Sequence, residues 1–147
     1  MEKKVFVLDE YQTEDLNLLL TRQKRSLLQY MSQVKTAFSI DRVELLHLLE
    51  DQGLQEAEEI DRIWDFIEEF GGTPSIKGYE GDPSRLNYTT CSHLLEWTLK
   101  DKEEIAELAG ALHERNLDHD KLAQMFESVK NLNLSHIEQL KDIVSPL

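Results

Sequence analysis

Apolar side chains recur along this chain at helical spacing, and breaks in that pattern divide the chain into four predicted helices. On a wheel of about 100° per residue, one apolar stripe follows each of four segments: residues 13–38, 40–70, 90–115 and 118–144. Thr13 is a candidate N-cap for the first helix, because Glu14 and Asp15 follow it in the first turn. The run Gly71-Gly72-Thr73-Pro74 ends the second helix.

The four stripes predict the core of the protein. Their central residues are Leu16, Leu20, Leu27, Met31, Val34 and Phe38; Leu45, Leu49, Ile60, Ile63, Ile67 and Phe70; Leu94, Ile105, Leu108, Ala109 and Leu112; and Leu122, Met125, Val129, Leu132, Leu140 and Ile143. Such stripes are most simply explained as surfaces that pack against one another.

The lengths of the connections predict how the helices are joined. Short turns near Ser39 and residues 116–118 make two antiparallel hairpins, whereas residues 73–88 form a long loop rich in Gly and Pro. A loop of that length needs a structural reason, and carrying the chain back along the bundle is one. The prediction is an all-α four-helix bundle with one long crossover between the second and third helices, the connectivity of ferritin-like folds.

The chain before the first helix has a different character. Residues 4–8 form a short apolar run with β character, too short to make a sheet alone. It is either an extended arm folded onto its own bundle or a segment that packs against a partner. We therefore divide the chain into an N-terminal arm, residues 1–12, and a bundle, residues 13–147.

Each apolar stripe is interrupted by polar residues, and the interruptions match in height along the bundle. They are Gln23 in the first helix, Gln52 and Glu56 in the second, Thr98 and the slightly off-centre Asp101 in the third, and Asn133 and His136 in the fourth. Since a buried polar group without a partner costs a few kcal/mol, four interruptions at one level predict a polar layer. It is either a hydrogen-bonded network that fixes helix register, a metal site, or the floor of a small-molecule pocket.

Composition narrows the classes of function. The 147 residues include 16 Lys or Arg and 29 Asp or Glu, a formal net charge of −13, which argues against binding to nucleic acid. The single cysteine, Cys91, excludes an intramolecular disulfide and fits a reducing cytoplasm. No membrane span or signal-peptide pattern is visible.

Aromatic residues at the stripe edges, Trp64, Phe66 and Trp97, can widen the core or form a dimer face.

Several segments resemble the ferritin-like superfamily. The run from Asn17 to Gln23, followed by Leu27-Leu28-Gln29-Tyr30, resembles the first helix of bacterioferritin-type proteins. The run from Glu56 to Ile63, then Phe70-Gly71-Gly72-Thr73-Pro74, resembles the end of the second helix and a stress-associated branch related to rubrerythrin. Ser135-His136-Ile137-Glu138 resembles the metal-binding segment of the fourth helix.

The resemblance implies a di-iron centre, but most of its ligands are replaced here. Such centres take a Glu from each of two helices and Glu-x-x-His from the other two. Gln23 stands where the Glu of the first helix is expected, and Thr98 stands where that of the third helix is expected. In the fourth helix, Asn133-x-x-His136 keeps the His of the motif but not its Glu. The second helix offers either Gln52-x-x-Gln55 or Glu56-x-x-Glu59, and neither contains a His. The literal match Glu44-x-x-His47 points outward on the wheel and is read as chance.

These replacements predict a ferritin-like domain whose di-metal centre has degenerated. Gln, Asn and Thr are neutral and bind hard cations poorly, so we assign no catalytic, cofactor-binding or metal-binding residue. The leading hypothesis is a non-enzymatic structural or interaction role, in a homo-oligomer of two or more copies, with an unidentified protein partner. The resemblance to the rubrerythrin-related branch implies a link to stress. One alternative is an atypical metal-binding protein or oxidoreductase built on Glu56, Asp101 and His136. Another is a small-molecule binder at the polar layer.

Overall fold

Four helices make up the computed structural model, which describes residues 6–26, 29, 43–76 and 91–144. They are α1 (Glu10–Lys24), α2 (Val43–Glu69), α3 (Cys91–Arg115) and α4 (Asp120–Val144), and the described part of the chain contains no strand. The predicted turn at Ser39, most of the second half of the predicted first helix and the greater part of the long loop lie outside the described residues. Among the helices of the described ranges, none is long and apolar enough to cross a bilayer.

Helix α1 begins at Glu10, and its N-cap lies four residues before the predicted cap, Thr13. Asp9 is the N-cap: its Oδ1 accepts a hydrogen bond from the backbone N–H of Gln12 at 2.7 Å, and the Gln12 side chain accepts one from the Asp9 N–H at 3.0 Å. This reciprocal pair is a capping box. Thr13 Oγ1 donates to the Asp9 carbonyl at 2.9 Å instead of capping.

The same helix ends at Lys24, so the prediction of one unbroken helix from residue 13 to residue 38 is wrong at this point. Arg25 is in a turn and Ser26 in a bend. The Ser26 hydroxyl accepts a hydrogen bond from the backbone N–H of Gln29 at 3.2 Å, the bond an N-cap makes three residues ahead. Serine therefore gives the backbone a local alternative to the helical ladder, a feature that apolar periodicity does not reveal.

The predicted stop of α2 is confirmed. Gly71 has a φ of 85°, in the left-handed region that favours glycine. The N–H of Gly72 donates to the Ile67 carbonyl at 2.8 Å, and the N–H of Gly71 to that of Glu68 at 3.3 Å. These bonds satisfy carbonyls at the end of the helix.

After this turn the chain runs back along α1. Asn17 donates to the Thr73 carbonyl at 3.0 Å and accepts from the Ser75 N–H at 2.8 Å, and Thr21 Oγ1 donates to the Ser75 carbonyl at 3.4 Å. The described start of the loop therefore runs parallel to α1. The predicted crossover requires this direction, because it carries the chain back to the end of the bundle where α2 began.

Cross-helix contacts give the orientation of all four helices. α1 packs against α2 and α3, and α4 packs against α3 and α2. Each of these neighbouring pairs is antiparallel: for example, Arg115 near the end of α3 reaches Asp15 near the start of α1 at 2.6 Å. The diagonal helices α2 and α3 are therefore parallel, and only a long connection can join them. The all-α bundle with one crossover is confirmed.

The core is divided in two along the bundle axis. The larger cluster contains Leu16, Leu19, Leu20, Ile60, Ile63, Ile67, Ile105, Ala109, Leu112, Leu122, Phe126 and Val129, and it also takes in Leu8. The smaller one contains Leu45, Leu49 and Leu140. On each of α2, α3 and α4, polar residues fall between the two clusters. Helix α4 is continuous from Asp120 to Val144 and so passes through both clusters and the polar level between them.

The described end of the N-terminal arm folds onto its own bundle. Leu8 is buried, and its N–H donates to the Phe70 carbonyl at 2.9 Å. The Phe6 ring lies 5.3 Å from the Phe70 ring and 3.9 Å from the His119 ring, centroid to centroid. Residues 6–9 therefore close one end of the larger cluster.

Candidate functional site: a lysine-centred polar layer

Buried polar side chains from all four helices meet between the two apolar clusters, as the matched interruptions predicted. The buried polar and charged residues of this region are Gln23, Ser26, Gln29, Gln52, Glu56, Glu59, Thr98, Lys102, Asn133 and His136. Lys102 is 1% exposed and is among the largest fully buried side chains of the described chain. An ammonium group at this depth requires partners.

Lys102 is the centre of the layer. Its ammonium donates to Glu56 Oε2 at 2.7 Å and to His136 Nδ1 at 2.9 Å, so one residue of α3 joins α2 to α4. Both side chains of the ion pair are 1% exposed. A hydrogen bond between charged groups in such surroundings is much stronger than a neutral one.

The second oxygen of the Glu56 carboxylate is held from α1 and the residues after it. Ser26 Oγ donates to Glu56 Oε1 at 2.7 Å, and Gln29 Nε2 lies 3.4 Å from the same oxygen. Gln29 Nε2 also donates to the Gly53 carbonyl at 2.8 Å. The break at the end of α1 therefore positions two donors on Glu56.

The contacts of His136 define its protonation. Its Nδ1 accepts from the Lys102 ammonium, so its Nε2 carries the hydrogen and donates to Gln55 Oε1 at 2.7 Å. Burial, together with the charge of Lys102, lowers the pKa of His136 to about 3. The imidazole is therefore neutral at physiological pH and acts as an acceptor for lysine.

The pKa of Lys102 itself is lowered from its ordinary value. Burial disfavours the ammonium, while the charge of Glu56 and its hydrogen bond oppose that effect. Because loss of the proton would leave the buried Glu56 carboxylate without its counter-charge, we take the ammonium as the form of Lys102 at neutral pH.

Glu59 is a second buried carboxyl group, one turn along α2 from Glu56. Gln23 Nε2 donates to Glu59 Oε1 at 2.7 Å, and the largely exposed Arg62 lies 3.4 Å from Oε2. Burial and the nearby charge of Glu56 raise the pKa of Glu59 to about 7, although Arg62 and Lys102 act in the opposite direction. This group therefore changes its charge near neutral pH.

The structure separates Asp101 from the other two residues of the predicted metal set. Asp101 Oδ1 lies 2.5 Å from Nη2 of Arg22, and the same nitrogen lies 2.9 Å from Glu104 Oε2 at the surface. Glu56 and His136 do meet, but through Lys102. The hypothesis that Glu56, Asp101 and His136 form one ligand set is therefore wrong: among the described residues, no three His, Cys, Asp or Glu are arranged to hold a metal ion.

Sequence reasoning missed Lys102, although the pattern contained a signal for it. On α3, positions 98, 102, 105, 109 and 112 alternate in steps of four and three, the spacing of one buried stripe. Lys102 occupies the stripe, whereas Asp101 lies at its edge. A long aliphatic stem allows lysine to occupy such a position and place its charge among distant partners.

The other polar residues frame the layer. Gln52 Nε2 donates to the His136 carbonyl and to Gln139 Oε1, both at 3.1 Å, and Asn133 Nδ2 donates to the Val129 carbonyl at 2.9 Å. Among the described atoms, the amide oxygens of Gln23, Gln52 and Asn133 are buried without a hydrogen-bond donor. On α2, Glu56 and Glu59 contact Lys102 and Gln23, whereas Gln52 and Gln55 contact His136.

Fold and site together define a class: a four-helix bundle with one crossover and a buried polar layer centred on a lysine ammonium. The chain belongs to the ferritin family: the family's ferritin-like domain matches residues 13–147. None of the curated proteins compared with the chain matches it significantly.

The donor set does not fit the family's two iron ions. Such centres take four Glu and two His, whereas this layer offers Glu56, Glu59 and His136 beside the neutral Gln23, Thr98 and Asn133 and the cation of Lys102. Two metal cations need several carboxylates for charge balance. Here an ammonium already binds Glu56 and His136, so no step through a di-iron centre can be derived.

Proposed function

We propose that this ferritin-like domain acts without a metal centre, as a structural or interaction module rather than an oxidase. The observation that supports this most directly is the Lys102 ammonium, in contact with Glu56 and His136. The two side chains best suited to ligate iron are bound to a cation that the chain supplies itself.

Charge balance favours the same function. One buried ammonium neutralises one buried carboxylate, and His136 is neutral because its pKa is lowered to about 3. The remaining carboxyl, Glu59, has a pKa raised to about 7 and so is partly protonated at neutral pH. The layer is therefore close to electrically balanced without a metal ion.

Self-association is the interaction we propose. Tyr11 and Leu18 are 77% and 50% exposed, and their spacing of seven residues places them on one outward face of α1. An apolar pair on a solvent-facing helix surface supports a contact with a second copy of the chain. A link to stress also belongs to this proposal, and its support is the resemblance to rubrerythrin-related proteins.

The proposal is tested by metal content and iron chemistry. Protein purified without chelator is assayed for bound transition metals and then titrated aerobically with Fe(II), beside His136→Ala. We expect no stoichiometric metal and no Fe(II) oxidation above the buffer rate in either protein. About one tightly bound metal per chain, lost in His136→Ala, would refute the proposal and make the protein an atypical metalloprotein.

A further inference from the structure

We propose that Lys102 is the residue that excludes divalent cations from this layer, and that its removal opens a site for a single divalent cation between Glu56 and His136. The inference rests on the proposed function, since it explains how the bundle is kept free of metal. Replacement of the usual di-iron ligands weakens metal binding, and Lys102 adds an active exclusion of cations to that loss.

The geometry places the lysine nitrogen where a cation would contact both donors. Glu56 Oε2 is 2.7 Å from Nζ and His136 Nδ1 is 2.9 Å from it. Zinc-type cations bind carboxylate oxygen and imidazole nitrogen at about 2.0–2.2 Å. A contraction of about 0.5–0.7 Å at Glu56 and about 0.8–0.9 Å at His136 brings both donors to ligating distance of that one point.

Both donors are already oriented as ligands. His136 presents the Nδ1 lone pair because its Nε2–H is held by Gln55 at 2.7 Å. Glu56 is fixed through its other oxygen by Ser26 at 2.7 Å. Outer hydrogen bonds of this kind set the tautomer and direction of metal ligands, and here they remain when Lys102 is removed.

Lys102 excludes a metal in two ways. Its ammonium fills the space between the donors, and its positive charge repels a second cation at contact distance. Glu59 also interacts electrostatically with both Lys102 and Glu56. One carboxylate and one imidazole are too few ligands for a pair of iron ions, but with water as the remaining ligands they suit one Zn²⁺- or Co²⁺-like ion.

The test compares Co²⁺ binding by wild type, Lys102→Ala and Lys102→Glu, since the absorption spectrum of Co²⁺ reports its ligands. The matched control on the same helix is Lys100→Ala, at an exposed position. We expect Lys102→Ala to bind about one Co²⁺ per chain on the order of 100-fold more tightly than wild type. Lys102→Glu, which adds a carboxylate from α3, binds more tightly still. Adding Glu56→Gln to either variant abolishes the gain.

Co²⁺ binding by the Lys102 variants tests the inference, whereas the metal content of wild type tests the proposed function. If neither Lys102 variant binds Co²⁺ more tightly than wild type, the inference is wrong while metal-free function stands. If wild type itself binds stoichiometric metal, the proposed function is wrong. Should a variant be unfolded without metal, refolding on addition of Co²⁺, seen by circular dichroism, supports the inference, and failure of both variants to refold overturns it.

Discussion

A lysine ammonium in a protein interior loses its hydration, and only well-placed partners compensate that loss. Lys102 has such partners in Glu56 and His136, on two different helices. Removing one member of the Lys102–Glu56 pair is therefore far more destabilising than the small net stability of the intact pair suggests, because the other charge stays buried alone. Three helices depend on this one contact.

Replacing Lys102 with methionine keeps the length and apolar stem of the side chain but leaves the Glu56 carboxylate without its cation. We expect a loss of about 3–5 kcal/mol in the free energy of unfolding, measured by urea denaturation. The exposed neighbour variant Lys100→Met should change stability by less than about 0.5 kcal/mol.

The double variant Lys102→Met with Glu56→Gln separates the ion pair from packing. Since it removes both charges, it should be less destabilised than the sum of the single variants. Strict additivity of the two would mean that Lys102 and Glu56 do not interact as the structure indicates.

Glu59 and His136 give opposite pH dependences. The pKa of Glu59 rises from 4.5 to about 7 on folding, so its contribution to stability is complete below 4.5 and is lost as the pH rises through 7. The pKa of His136 falls from 6.5 to about 3, so its contribution is complete above 6.5 and is lost as the pH falls towards 3. Between about 4.5 and 6.5 the two effects oppose each other.

Glu59→Gln removes one of these opposing effects. The stability of this variant, relative to wild type, should rise with pH between about 4.5 and 6.5 by up to about 1.4 kcal/mol per pH unit. The control is Glu58→Gln, an exposed neighbour, whose curve should run parallel to wild type. Chemical denaturation at several pH values measures both, and parallel curves for the two variants would contradict the assignment of Glu59.

At the scale of the helix, Ser26 connects a local break in α1 to the polar layer. Its hydroxyl oxygen accepts from the Gln29 N–H, and its hydrogen goes to Glu56 Oε1. One small side chain thereby caps a turn and holds a buried carboxylate. The position of the break at the level of the layer follows from this double role.

Ser26→Ala should lower the free energy of unfolding by about 1–2 kcal/mol, because both a cap and a bond to a charged group are lost. Ser135→Ala, at an exposed position inside α4, is the matched control and should stay within about 0.5 kcal/mol of wild type. Equal effects of the two substitutions in thermal or urea unfolding would show that Ser26 has no special role.

For the whole molecule, periodicity and loop length were sufficient to predict the bundle, its crossover and the height of the polar layer. Each of these features is set by the pattern of many residues, so that one exceptional position does not change it. The identity of the central cation depends on one residue, and a wheel gives the direction of a side chain but not its reach. Lys102 and Asp101 differ by one position, yet Lys102 enters the layer while Asp101 is bound by Arg22.

The break at Ser26 could not be predicted for a similar reason. The apolar stripe continues through residues 27–38, and periodicity measures only where apolar side chains recur. A single serine that bonds to a neighbouring backbone and to a distant carboxylate leaves that periodicity unchanged. Its effect depends on Glu56, which is 30 residues away in the chain.

The proposed contact between two whole molecules involves the outward face of α1. Leu18→Glu places a charge on the apolar face of α1 and should weaken association on the order of tenfold or more, as measured by sedimentation. Leu117→Glu, 55% exposed in the turn between α3 and α4, is the control and should associate like wild type. A monomeric wild type, or equal behaviour of the two variants, would contradict the proposed contact.

We propose that the lysine ammonium, and no metal, is the cation of this layer. Anomalous diffraction at the iron edge, from crystals grown with excess Fe(II), tests it most directly. We expect Lys102 Nζ within hydrogen-bond distance of Glu56 and His136, with no anomalous peak between them. A peak at that position, with Lys102 turned away, would show that iron and not the ammonium occupies the layer.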